Sequence, residues 1–178
     1  MSISKKTKVA RIIFLIMIIL AATMIFWFSS QSADASSKTS ESVTSKIVNM
    51  FDPSHKNKTE QQQAVVLENI GSAVRKLAHV LEFAFLGIWT ALFCSTFSMK
   101  WVFVILIPTG ACAVFSVLDE VHQIFVPGRS CQFADMVIDT VGAFIGTVVA
   151  YGIAILVEKG VEKGKKRKNI VDNTPNRW

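Results

Sequence analysis

From Ile12 to Phe28 the chain reads IIFLIMIILAATMIFWF, seventeen residues without a charge. Three more apolar runs follow, at about Leu77–Phe97, Trp101–Leu118 and Met136–Val157. A helix crossing a bilayer needs roughly 17–25 such residues. In lipid every backbone amide must be satisfied within the protein, which leaves helices or closed barrels. Runs this long and unbroken do not suit barrel strands, so they predict an all-α membrane bundle of four spans. Of the 178 residues 51% are hydrophobic and 18% charged, the latter below the roughly 25% of soluble proteins. A soluble domain of this size cannot bury that much apolar surface.

The remainder arranges itself around the spans as one domain over 1–178, with a loop at 29–75 and a basic tail at 158–178. Lys5, Lys6, Lys8 and Arg11 precede the first span, and Lys159, Lys163, Lys165, Lys166, Arg167 and Lys168 follow the fourth. An even number of spans puts both ends on one side, and the Lys/Arg bias places that side in the cytoplasm. The net charge of +6 then reflects topology and anionic-lipid contact, and no nucleic-acid partner is expected. Ala33-Asp34-Ala35 after the first run resembles a signal-peptide cleavage site. The run is longer than such segments, however, and its FWFSSQ end suits an interfacial anchor, which favours a retained span. In the outer loop, Ser40–Val43 is expected to open a short helix that carries Val43, Ile47, Met50 and Phe51 on one face and ends at Asp52-Pro53. Thr59-Glu60-Gln61-Gln62 has the form of a capping box, opening a helix that runs on into the second span. The three cysteines do not form a disulfide framework, and Cys131 is expected to be a small buried residue. His55 reads as a solvated loop residue.

The polar residues inside or beside the spans carry the functional signal. Arg75, His79 and Glu82 share one helical stripe, with Lys76 beside it. Asp119, His122 and Gln123 share a face at the end of the third span, next to Glu120. Pro127-Gly128 fits the centre of a type II turn leading to Arg129. Asp135 and Asp139 lie on one stripe of the fourth span, which continues through Gly142 and Gly146, a G-x-x-x-G that lets helices approach closely. Pro108 is expected to kink the third span. All three stripes reach the outer ends of their spans. Charge at membrane depth is costly, so these groups are expected to face one another in a single polar pocket.

Here RKLAHVLEFAFLG, then LDEVHQIFVPGRSCQFADMVIDTVGAFIG, resembles the VanZ-like family, and FSSQ after the first span fits its opening. The resemblance covers the chain from the first span through the fourth. It implies a small bacterial membrane protein of the cell envelope linked to resistance or tolerance towards the glycopeptide teicoplanin. Asp139 departs from the pattern, standing where many members have Asn.

Two chemistries suit the pocket. As a binding site, Arg75, Lys76 and Arg129 would grip phosphate or carboxylate, with Glu120, Gln123, Asp135 and Asp139 orienting them. The ligand would be a membrane lipid or a lipid-linked wall precursor, or the acylated glycopeptide itself. As an enzyme of phosphoryl-transfer or hydrolase type, the chain would use His79 with Glu82, and Asp119 with His122, as imidazole–carboxylate pairs at i, i+3. The same four residues resemble carboxylate-bridged metal ligands in helical bundles, yet no metal or other cofactor is expected, because hydrogen-bonded pairs are commoner and no Cys joins them. A bare ion-pair network, with Asp139 on Arg75 or His79 on Asp135, is the remaining possibility. Whether a reaction is catalysed, and the oligomeric state, stay open.

Overall fold

The computed structural model describes residues 4–52 and 59–172. The described chain is all-α. Its helices are α1 (Lys5–Ser29), α2 (Ala33–Phe51), α3 (Glu60–Ser95), α4 (Trp101–Gln123) and α5 (Phe133–Asp172). Four of them, all but α2, are long and apolar enough to cross a membrane. Their outward faces are studded with exposed Ile, Leu, Val, Phe and Trp, the surface that lipid rather than water would cover.

The spans extend further than their apolar runs. α3 begins at Glu60, as the capping box predicts: the Thr59 hydroxyl accepts from the Gln62 N–H while the Gln62 side chain accepts from the Thr59 N–H. That box satisfies two orphan donors and lets a polar helix grow straight into an apolar one. α5 likewise continues past Val157 through a Lys/Glu-rich segment of good helix formers. Pro108 lies buried inside the continuous α4.

α2 corrects the reading of the loop. It starts at Ala33 rather than Ser40, where the Ser32 hydroxyl accepts from the Ala35 N–H. The buried side chains are Thr44 and Val48, whereas Val43, Met50 and Phe51 are exposed. α2 therefore rests on α3 by a narrow, partly polar stripe, and its larger apolar face points away. His55 lies outside the described residues.

α3 packs most extensively on α5, and α1 lies against α3. Gly142 and Gly146 of α5 and Gly87 of α3 make close contacts between the two helices. A Cβ on Gly142 would stand 2.5 Å from the Val80 carbonyl oxygen, and one on Gly146 would collide with the Ala84 carbonyl. The expected G-x-x-x-G is thus a backbone-to-backbone seam between α5 and α3. Ala21, Ile25, Phe83, Leu86, Cys112 and Ala143 form the apolar core beside it. At one end, Arg11 ties α1 to the end of α3, donating to the Thr96 hydroxyl and carbonyl (both 2.9 Å) and covering the Phe97 ring at 3.8 Å. The other end gathers the polar residues.

Candidate functional site

The turn after α4 sets the geometry of the polar end. The Val126 carbonyl accepts from the Arg129 N–H (3.1 Å), and Gly128 sits between them at φ 75°, as a type II turn requires. The Pro127 carbonyl accepts from the Ala33 N–H (3.2 Å), fastening the turn to the start of α2. Arg129 is thereby aimed at α1. Its guanidinium donates to the carbonyls of Gln31 (3.2 Å) and Phe28 (3.4 Å) and to Gln123 Oε1 (3.5 Å). A cation on the last carbonyls of a helix also meets the negative end of its dipole. Partial burial, and then the neighbouring Arg75 guanidinium, lower the Arg129 pKa from its ordinary value. The carboxylate expected beside Arg129 is replaced by main-chain oxygens.

Beneath this turn lies a cavity of about 170 Å³. Arg75, Lys76, His79, Gln123, Arg129, Asp135 and Asp139 line it, together with Ser36 and Ser37 of α2. Two cross-helix pairs close its wall between α3 and α5. Lys76 Nζ is 3.2 Å from Asp135 Oδ1, and His79 Nδ1 is 3.5 Å from Asp139 Oδ1. Asp139 is fully buried, and its other oxygen accepts from the Ser116 hydroxyl (2.9 Å), so this one carboxylate joins α3, α4 and α5. The alternative pairings, Asp139 with Arg75 and His79 with Asp135, are not the ones formed. Arg75 has its only described side-chain bond from the guanidinium to the Ser37 hydroxyl (3.4 Å).

The remaining predicted residues lie elsewhere, so the single pocket divides. Asp119 is buried behind the cavity, where its Oδ2 accepts from the Ser29 hydroxyl (2.7 Å) and the Gln123 amide (3.0 Å). Glu120, predicted to orient ligand-binding cations, is also buried. Its Oε2 accepts from the Gln132 N–H (2.8 Å) at the entrance to α5, which is a structural cap. His122 is turned away and stacks on Phe26, ring centroids 4.2 Å apart. Glu82 borders an adjoining groove. Neither i, i+3 pair forms as expected: His79 meets Asp139, and Asp119 meets Ser29. On an inward-facing stripe the nearest polar groups belong to neighbouring helices, and those contacts prevail. Among the described residues no three His, Cys, Asp or Glu side chains converge as metal ligands would. Cys94 and Cys112 are buried free thiols, while Cys131 is exposed, contrary to expectation.

Residues of the FSSQ stretch, with no role read for them, also matter. Ser29 is fully buried against Asp119, and Gln31 and Phe28 hold Arg129 through their carbonyls. A hydroxyl at the end of an otherwise apolar span was the available signal for Ser29. The backbone acceptors had none.

No curated protein and no solved structure matches the chain. The VanZ/LLP1 family model matches residues 14–156, from within α1 almost to the end of the apolar part of α5. That stretch contains every residue of the cavity, and the chain belongs to the VanZ/LLP1 family.

Proposed function

We propose that the cavity binds the anionic head of a lipid-linked ligand of the bacterial cell envelope, and that the protein contributes in this way to resistance or tolerance towards glycopeptides such as teicoplanin. The observation that carries this reading is Arg75. It is a half-buried guanidinium on the cavity wall, and among the described residues no carboxylate lies within salt-bridge distance of it. Lys76 and His79 each have an acidic partner, and Arg129 is held by carbonyls while keeping two of its five N–H donors. A cation held at membrane depth without a counter-charge is costly unless a ligand supplies one. Phosphate matches a planar guanidinium fork. The basic residues at both ends of the chain support an orientation with the cavity on the outer side of the membrane, where wall precursors are exposed.

Wild-type protein in nanodiscs is expected to bind a prenyl phosphate, and Arg75→Gln to weaken that binding about 10- to 150-fold, the worth of one charge-assisted contact of about 1.5–3 kcal/mol. Equal affinity for both proteins would refute the reading. One observation favours a catalytic variant: His79 lines the cavity with buried Asp139 behind it, the arrangement of an oriented general base. Release of inorganic phosphate from a prenyl diphosphate in the same preparation, abolished in His79→Gln, would put that variant first. No release by wild type would remove it.

A further inference from the structure

Arg75 borders three separate spaces, and their characters differ. The first is the polar cavity described above. The second is a groove of about 260 Å³ where Phe28 of α1, Val43 of α2, and Val74 and Ala78 of α3 share the wall with polar residues that include Thr39, Glu82 and Arg129. Phe28 and Ala78 are exposed on the flank of the bundle that lipid covers, so this groove opens sideways into the bilayer. The third is a space of about 490 Å³ between α2 and α3, beyond the apolar part of the bundle. Its walls carry Asp34, Lys38, Glu41, Glu68 and Thr44.

From this arrangement we infer that the protein holds a lipid-phosphate-linked glycan, with phosphate at Arg75, hydrocarbon in the α1–α3 groove and sugar in the space between α2 and α3. The inference rests on the phosphate reading above and extends it to the two ends of the ligand. The apolar part of this groove, at Phe28, Val43, Val74 and Ala78, favours hydrocarbon, since it would strip water from hydroxyls without replacing their hydrogen bonds. Its volume equals roughly nine waters at about 30 Å³ each, enough for the first carbons of one chain. The outer space has the opposite character. Three carboxylates there repel a second phosphate yet accept hydrogen bonds from hydroxyl and amide donors. Its volume equals roughly sixteen waters, room for one or two sugar rings. An amphiphile whose phosphate lies between a hydrocarbon and a donor-rich neutral group matches all three spaces at once.

The test uses full-length protein in nanodiscs, with native mass spectrometry or competition binding as readout. The probes are a prenyl phosphate, a prenyl monophosphate bearing one N-acetylated sugar, and the free sugar 1-phosphate. Wild type is expected to bind the sugar-bearing lipid at least tenfold tighter than the bare one. Glu41→Ala/Glu68→Ala, at two exposed positions, should erase that difference and leave the prenyl phosphate unaffected. Val43→Trp, also exposed, fills the groove and should weaken both lipids while sparing the sugar 1-phosphate. Equal binding of sugar-bearing and bare lipid by wild type would overturn the sugar site. Unchanged lipid binding in Val43→Trp would overturn the tail groove. Either result leaves the phosphate reading standing, provided Arg75→Gln still loses prenyl phosphate. If wild type binds no phosphate lipid, both readings fall together.

Discussion

Gly142→Ala places one methyl group in the seam between α5 and α3. That carbon would stand 2.5 Å from the Val80 carbonyl oxygen and 3.1 Å from its Cα. Ordinary contact begins at 3.4 Å, so α5 must withdraw by about 0.9 Å at this point. Gly142 is less than one turn from Asp139, and Val80 adjoins His79. The same withdrawal therefore carries the His79–Asp139 pair, now at 3.5 Å, past 4 Å. Overpacking of this kind costs about 1–3 kcal/mol. Alanine also favours helix over glycine by up to about 1 kcal/mol, so the comparison needs a control that shares this gain. Gly152→Ala provides it, since nothing lies within 4 Å of the added carbon. Thermal melts of the two variants in the same detergent should differ by roughly 2–12 °C, Gly142→Ala being the lower. Equal melting temperatures would refute the claim that the two backbones touch.

Two further outcomes are expected. Ser29→Ala should lower stability by about 1–3 kcal/mol in the same melts, because it strips a buried carboxylate, Asp119, of a 2.7 Å donor; Ser30→Ala, at an exposed hydroxyl that bonds within its own helix, should be nearly silent. A reporter fused after Lys168 should read cytoplasmic and one inserted near Lys56 external, and the reverse pattern would place the cavity on the inner face.

The four spans were legible because a predominantly apolar run of bilayer length has few other solutions. The start of α3 was legible too, from the capping box at Thr59–Gln62, whereas the end of α5 was not, since the segment after Val157 has no apolar signature. α2 was found late in the chain and on the wrong face. Its buried stripe is Thr44 and Val48, and a threonine does not announce itself as a packing residue. For the site, the stripes correctly brought Arg75, Lys76, His79, Gln123, Arg129, Asp135 and Asp139 to one cavity. Periodicity gives a residue's face but not its opposite number on another helix. Asp139 was therefore left without Ser116 and His79, and Glu120 was read as a ligand group although it caps α5. Arg129 shows the sharper limit: its acceptors are main-chain carbonyls, which every residue possesses and no side-chain pattern marks.

The unbroken length of α3 has a mechanical consequence. Its 36 residues span about 54 Å at about 1.5 Å each, against a hydrocarbon thickness of about 30 Å. About 24 Å of it is left over, most of it forming a stiff post above the acyl chains, and α2 leans on that post along Thr44 and Val48. A rod clamped this way behaves as a lever. A small tilt about the Gly142–Gly146 seam sweeps its free tip through a larger arc, while Arg75, close to the fulcrum, moves least. The height of the outer space above the lipid is thus set by a strut rather than by a slack tether, and crowding at the tip is felt at the seam as torque.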